Sequence, residues 1–321
     1  MRIVVLDDYQ SCAAQFADWS VLGGKDEVEV DFVHEHLTGE PLVHRVGAAE
    51  VVVTMRERVA FDAALLARLP GLRLLITTGM HNAAIDLDAA RKQGVTVCGT
   101  GGLDSPAAEM TWALIHAVTR QVAHSDIDVR AGRWQRTIGD DLAGSRLGVV
   151  GLGRLGRRVA RVGLAFDMDV VAWSQNLTAQ AAEDAGVRRV DRDELFATSD
   201  VVTLHLRLSE RTRGIVGAGE LARMRPSAIL VNTSRGPLID EAALLDALST
   251  GRIAGAGLDV FDQEPLDKGH PVTRLDNVVL TPHLGYVTRG SYAIYYRDAV
   301  EDIHAWRKGA PVRVLTAPTA G

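Results

Sequence analysis

The stretch that most constrains this chain is residues 147–160, LGVVGLGRLGRRVA. An apolar run, Leu147 to Val150, enters a glycine turn, Gly151-Leu152-Gly153-Arg154-Leu155-Gly156, and a helical pattern is expected from Arg157. In a strand–turn–helix of this kind Gly151 permits the turn, Gly153 lets backbone approach a pyrophosphate, and Gly156 lets helix pack on strand. The free N–H groups and positive end of the helix would hold the phosphates. A glycine triplet alone also serves simply to connect strand and helix. With both flanking elements present, this one points to dinucleotide binding.

The 321 residues are enough for two domains, each with its own core. Of these residues 47% are hydrophobic and 24% charged, the balance of a globular protein that keeps its surface in water. A formal net charge of −6 and the lack of a basic run argue against nucleic acid or an acidic membrane surface as partner. The two cysteines, Cys12 and Cys98, stand outside any metal-ligand spacing and suit a reducing compartment better than a disulfide framework. The apolar run at the N-terminus stops at Asp7-Asp8, too short for a signal peptide, and no stretch approaches bilayer length. The expectation is a cytoplasmic protein.

Residues 1–100 alternate apolar runs (Ile3–Leu6, Val28–Val33, Val51–Thr54, Leu72–Thr77, Val95–Cys98) with amphipathic pieces such as Asp62–Leu69 and Leu87–Lys92. That spacing predicts parallel strands joined by crossover helices. Ligands in such sheets lie beyond the carboxyl ends of the strands. Two loops fit that position: Met55-Arg56-Glu57-Arg58 and Thr78-Gly79-Met80-His81. After a hinge at 99–104 a helix is expected, with Ser105 as N-cap, Pro106 in the first helical position, and Ala107, Met110, Leu114 and Val118 as its apolar stripe. Beyond the glycine turn the alternation resumes: strands at 170–173, 201–204, 228–232, 255–260 and 278–280, helices at 179–184 and 241–248. Arg289 to Arg307 reads as one long amphipathic helix with no sheet of its own.

Three motifs end strands of this second sheet. Val231-Asn232-Thr233-Ser234-Arg235-Gly236 offers a planar guanidinium suited to a carboxylate; alone, Arg235 would be a surface ion pair. Gly257-Leu258-Asp259-Val260-Phe261-Asp262-Gln263-Glu264-Pro265 supplies Glu264, which alone would be a solvated loop carboxylate. Leu280-Thr281-Pro282-His283-Leu284-Gly285 supplies His283, which alone would be a structural histidine. Together they are what hydroxyl oxidation needs: a grip on a carboxylate, a proton exchanger and a group that orients it. No second His or Cys sits at metal-ligand spacing.

GLGRLGRRVA, VNTSRGPLIDEAAL, AGAGLDVFDQEP and LTPHLGYVT, in this order, resemble the D-isomer-specific 2-hydroxyacid dehydrogenases over nearly the whole chain. TTGMHNAAIDL resembles their substrate-carboxylate loop and SPAAEMTWALIHAVTR their interdomain helix. The resemblance implies an α/β fold of two doubly wound parallel-sheet domains. A Rossmann cofactor domain (103–284) is inserted in a flavodoxin-like substrate domain (1–102 and 285–321). It implies Arg235 on the substrate carboxylate, His283 as acid/base, and Glu264 on the second imidazole nitrogen, favouring the protonated ring. The cofactor, NAD or NADP, is assigned to Gly151, Gly153, Arg154, Leu155, Gly156, Ser174, His205, Thr233 and Asp259, the last on the carboxamide. Backbone N–H groups around Thr78, Gly79, Met80 and His81, with Arg56, are assigned to a small 2-oxo or 2-hydroxy acid. A homodimer through the cofactor domain, with the segment near 133–143 reaching over the partner, is also implied.

Three departures from the family pattern stand out. Trp173-Ser174-Gln175-Asn176 replaces the acidic residue that grips the ribose hydroxyls in NAD-specific members. Arg207 replaces the usual proline after His205, and Ala83-Ala84 replaces an Asp-Asn pair. The resulting reading is an NAD(P)-dependent D-2-hydroxyacid dehydrogenase. The alternatives are a phosphoglycerate dehydrogenase and, from another class, a dinucleotide-sensing corepressor of the same fold.

Overall fold

A computed structural model describes residues 1–24 and 26–316. The chain divides into two compact units, one made of Met1–Leu103 with the chain from Thr288 onward, the other of Asp104–Val287. The expected breaks at 102/103 and 284/285 thus stand against observed ones at 103/104 and 287/288. Gly285 stays with the second unit because its N–H donates to the Asp259 carboxylate at 2.8 Å.

The first unit holds β1 (Arg2–Val5), β2 (Glu29–Phe32), β3 (Val51–Thr54), β4 (Leu74–Thr77) and β5 (Thr96–Gly99). They form one parallel sheet in the order β2-β1-β3-β4-β5, the doubly wound arrangement whose switch point lies between β1 and β3. The three central strands are apolar on both faces, as strands between two helical layers must be. The core beneath them gathers Val4, Val52, Leu66, Leu75 and Val97. The helix Arg289–Arg307 matches its expected span and joins this unit. Its tyrosine face explains why: Tyr296 is fully buried beside Trp19, with ring centroids 6.4 Å apart, and Tyr292 meets Phe16 edge-on at 5.9 Å.

The second unit holds β6 (Arg146–Val150), β7 (Asp169–Trp173), β8 (Arg188–Arg189), β9 (Val201–Leu204), β10 (Ile229–Asn232), β11 (Gly255–Leu258) and β12 (Val278–Leu280). Their order is β12-β11-β10-β9-β6-β7-β8, all parallel, with the switch point between β6 and β9. The glycine turn therefore leaves the sheet where a ligand cleft opens.

Three local expectations change. The helix after the glycine turn spans Arg154–Ala165, so Gly156 lies inside its first turn and Gly153 is the N-cap. The helix Ser105–Thr119 is capped by Asp104 rather than Ser105, placing Ser105 and Pro106 in its first turn. Its buried side is Ala108, Thr111, Trp112, Leu114, Ile115 and Thr119, rotated from the expected stripe because it packs against β10 and β11 as well as the helix Arg154–Ala165. Among the described residues no helix is long and apolar enough to cross a membrane.

Candidate active site

The glycine turn fits a dinucleotide. Gly151 has φ +103°, a conformation other residues avoid. A Cβ on Gly156 would overlap the Gly151 carbonyl oxygen, so only glycine lets the helix approach the strand this closely. A Cβ on Gly153 would meet nothing within 4 Å. That open space, at the N-terminus of a helix of 12 residues, fits the approach of a pyrophosphate to backbone N–H groups. Arg154 turns its side chain away to Asp104, at 3.1 Å, leaving its backbone to the cradle.

Ser174 and His205 leave β7 and β9 beside the turn. The Gly151 N–H donates to Trp173 O and the His205 N–H to Val150 O, both at 2.8 Å, which puts all three residues at one level. Burial drives the His205 imidazole down to about 4, so the ring is neutral, with Nε2 3.0 Å from Thr203 Oγ1. Thr233 lies inside the unit, its hydroxyl 2.7 Å from that of Thr111.

Three adjacent strands, β10, β11 and β12, end in Arg235, Glu264 and His283. Asn232, fully buried, shapes the first end: its amide donates to Arg235 O at 2.9 Å and its carbonyl accepts from the Ser234 N–H at 3.0 Å. This short side-chain turn fixes the backbone from which the half-buried guanidinium projects. Glu264 Oε1 accepts from the Phe261 N–H at 2.9 Å, and Oε2 lies 2.6 Å from His283 Nδ1. Burial works to raise the Glu264 carboxyl, but the hydrogen bond and charge of His283, the Phe261 N–H and the charge of Arg235 outweigh it. Glu264 sits below the ordinary carboxylate range and is an anion.

His283 has φ +55°, a left-handed conformation that costs a residue with a Cβ about 1–3 kcal/mol. Asp259 holds it there. Its carboxylate, fully buried, accepts from Thr281 Oγ1 at 2.5 Å, from the Leu284 N–H at 2.7 Å and from the Gly285 N–H at 2.8 Å. Both oxygens are thereby engaged by the turn that carries His283, a positioning role that sequence alone did not assign to Asp259. Burial pushes its carboxyl upward against these bonds. Tyr286 closes the far side, its ring edge-on to the imidazole at 5.3 Å between centroids.

The residues assigned to the substrate acid lie in the first unit. Arg56, at φ +52°, donates its N–H to Thr78 Oγ1 at 3.0 Å and its Nη1 to Thr78 O at 3.3 Å. The Thr78 N–H is taken by Thr54 O at 3.1 Å and the Gly79 N–H by Thr100 Oγ1 at 2.8 Å. These two N–H groups hold the loop itself, while Met80 and His81 form its exposed tip. Asn82 also serves the loop, donating to Arg56 O at 2.6 Å and to Thr77 Oγ1 at 2.9 Å. Asn82, Thr100 and Asn232 escaped the sequence reading. Their only signal was a polar side chain inside or beside an apolar strand end. Among the described residues no group of three or more His, Cys, Asp or Glu is arranged to hold a metal ion.

Residues 112–285 match the family model for the D-isomer specific 2-hydroxyacid dehydrogenase, NAD binding domain. A glyoxylate reductase of Aeropyrum pernix is 36% identical over 294 residues, 88% of this chain and 87% of the relative. A D-3-phosphoglycerate dehydrogenase of Archaeoglobus fulgidus is 36% identical over 292 residues, 90% of this chain, but the chain spans only 55% of that relative's length. The crystal structure of a phosphoglycerate oxidoreductase from Vibrio cholerae superposes with a TM-score of 0.90 at 35% identity, covering 97% of this chain and 100% of the other. With a model matching more than half its length and a fold shared from end to end, the chain belongs to the D-isomer specific 2-hydroxyacid dehydrogenases.

Proposed function

We propose that this chain transfers a hydride between NAD(P)(H) and C2 of a small 2-oxo or D-2-hydroxy acid, with Arg235, Glu264 and His283 as its chemical groups. The observation that carries the reading is the 2.6 Å pair of His283 Nδ1 and Glu264, which follow β12 and β11 on the sheet edge where Arg235 follows β10. The nicotinamide, when bound, supplies or accepts the hydride. Arg235 grips the substrate carboxylate with its planar fork and polarises the C2 oxygen. Because Nδ1 is committed to Glu264, Nε2 is the atom that exchanges the proton. In reduction the protonated ring gives a proton to the C2 oxygen; in oxidation the neutral ring takes it back. Glu264, held as an anion, fixes the ring plane through its contact with Nδ1. In the first unit, the N–H groups of Met80 and His81 with Arg56 are assigned to the substrate carboxylate.

The assembly we assign is a homodimer through the cofactor unit. Val122, Ile127, Val129, Trp134 and Ile138 leave an exposed apolar surface along one segment, with Ile138 94% exposed. The unpaired Cys12 and Cys98 suit a reducing cytoplasm.

A panel of glyoxylate, hydroxypyruvate, 3-phosphohydroxypyruvate and longer 2-oxo acids, each with NADH and with NADPH, tests the reading. Oxidation of the reduced cofactor by at least one of these acids, giving the D-product, is expected. Cofactor binding without turnover on any of them would replace the enzyme by a dinucleotide-sensing protein.

A further inference from the structure

The edge that receives the adenosine half of a dinucleotide has an unusual charge balance. β6 pairs with β7 and β9 in matched register, Val150 level with both Trp173 and Leu204. The loops that follow β7 and β9 therefore flank the pyrophosphate cradle, one on each side. The β7 loop, Ser174-Gln175-Asn176-Leu177-Thr178, carries no charge. In the β9 loop His205 is neutral, as described above.

The arginines at the ends of these strands differ in what they already hold. Arg188 pairs with Glu194 at 2.8 Å, and Arg192 pairs with Glu220 at 2.9 Å while lying over the Trp173 ring. Arg189 is exposed but sits within β8, level with Ala172 and short of the strand ends. Arg207 is exposed, lies past the end of β9, and takes part in no ion pair among the described residues.

The loop presents Arg207 on a fixed backbone. Thr212 Oγ1 donates to Arg207 O at 2.6 Å and accepts from the Ser209 N–H at 2.8 Å. The Arg213 N–H donates to Ser209 O at 2.9 Å, closing the turn. Leu206 and Leu208 on either side pack against the core, so the alternation sends the Arg207 side chain outward. Leu206 also abuts the cradle, its Cδ2 2.9 Å from where a Cβ of Gly151 would stand. The nearest acidic side chain in the loop, Glu210, is itself exposed.

We propose that Arg207 is the specificity-determining residue for the 2′-phosphate of NADP(H), forming with the Ser174 hydroxyl a subsite for an adenosine 2′-phosphomonoester between the β9 and β7 loops. A guanidinium meets the dianion with a charge-assisted, two-pronged hydrogen bond. An uncharged Ser174 neither repels the phosphate nor rejects a ribose hydroxyl, so NADH is still accepted. The chain around position 174 gives no sign of this cation because it arrives from β9, on the far side of β6.

The inference rests on the cofactor unit binding a dinucleotide, and the test separates the two. Isothermal titration of the full chain with adenosine 2′,5′-bisphosphate and with adenosine 5′-monophosphate reads the 2′-phosphate by difference, without turnover. Wild type should bind the bisphosphate more tightly. Arg207→Gln should weaken bisphosphate binding on the order of 10- to 100-fold and leave the monophosphate within about twofold. Arg207→Lys, which keeps charge without the fork, should fall between, and added salt should erode its remaining advantage. Equal weakening of both nucleotides in Arg207→Gln would make Arg207 an adenine-stacking or loop-forming residue and overturn the proposal, as would no change in either. Wild type that binds neither nucleotide nor NADH would overturn the dinucleotide reading itself.

Discussion

The two sheets share one architecture, yet their carboxyl edges use their polar groups in opposite ways. In the first unit several of the edge's polar groups hold its own loops, with Met80 and His81 at the exposed tip. The Asp8 carboxylate accepts from the N–H groups of Cys12 and Ala13 at 2.9 and 3.2 Å, and Thr100 takes the Gly79 N–H. Arg58 donates to Asp7 O at 3.3 Å and lies over the Tyr9 ring at 4.7 Å. In the second unit the edge leaves groups outward: an open cradle at Gly153, an exposed Arg207 and the Nε2 face of His283. Winding order places a ligand at the strand ends in both. What makes one edge chemical is which donors and charges remain after the loops have closed on themselves.

The largest effect expected along this contrast is at Arg235, half-buried at the edge of the second unit. Arg235→Lys keeps the charge and loses the fork. A loss in kcat/KM of roughly two orders of magnitude or more, on the order of 3 kcal/mol, is expected. Cofactor affinity by fluorescence titration should hardly change. Near-native kcat/KM in this variant would move Arg235 to the self-satisfied class of arginines that Arg58 exemplifies.

The cradle comes next, through two substitutions of the same size. Gly153 has ordinary extended backbone and open space ahead of it, so Gly153→Ala should fold with an unchanged melting temperature. Its methyl would stand where the pyrophosphate belongs, and the cost of overpacking predicts NADH affinity lower by about 10- to 100-fold. Gly156→Ala, whose methyl would collide with Gly151 O, should instead lower the melting temperature. If both variants only lost stability, Gly153 would be a packing glycine like Gly156.

The parts of the molecule that repeat along the chain were legible in sequence, and the parts that depend on strangers meeting were not. Strands such as Val51–Thr54 and Val201–Leu204 announce themselves as apolar runs, and the helix Arg289–Arg307 by its tyrosine period. That Arg235, Glu264 and His283 follow neighbouring strands was legible because their three motifs each come after a strand. β8, two residues long, offers no period to see. The helix after the glycine turn begins at Arg154 rather than Arg157 because a dinucleotide turn folds its last glycine into the helix, and periodicity is blind to that. Asn82, Thr100 and Asn232 work through partners that only the folded loops bring within reach. Arg207 is of this kind too: its meaning comes from β9 lying beside β6, not from its neighbours in the chain.

A smaller effect is expected at Glu264. Its carboxyl is held below the ordinary range because His283 and its other donors outweigh burial. The carboxylate therefore stays charged to lower pH than a free one, and its contact with His283 Nδ1 is lost only as pH falls through that lowered range. Glu264→Gln keeps the size and removes the charge, and kcat/KM for reduction should fall about tenfold. A kcat/KM left at the wild-type value would mean Glu264 only props the loop through the Phe261 N–H.

The smallest effect tests the self-satisfied edge. Thr100, fully buried, accepts from the Gly79 N–H at 2.8 Å and donates to Gly101 O at 2.9 Å, while the Gly101 N–H donates to the Asp298 carboxylate at 2.8 Å. The loop at 78–81, assigned above to the substrate, is thus tied through one hydroxyl to the chain leaving β5 and, through Gly101, to the long C-terminal helix. Thr100→Val keeps the shape and deletes the hydroxyl, leaving the Gly79 N–H buried without its acceptor, at a cost of about 1–3 kcal/mol in stability. With the loop loosened but no reacting group touched, the substrate KM should rise by roughly three- to tenfold while kcat stays close to wild type. Thr100→Ser restores the hydroxyl and should recover both stability and KM. A lower melting temperature with an unchanged KM in Thr100→Val would show that the hydroxyl supports the fold and does not position the substrate loop, and the first edge would then be structural throughout.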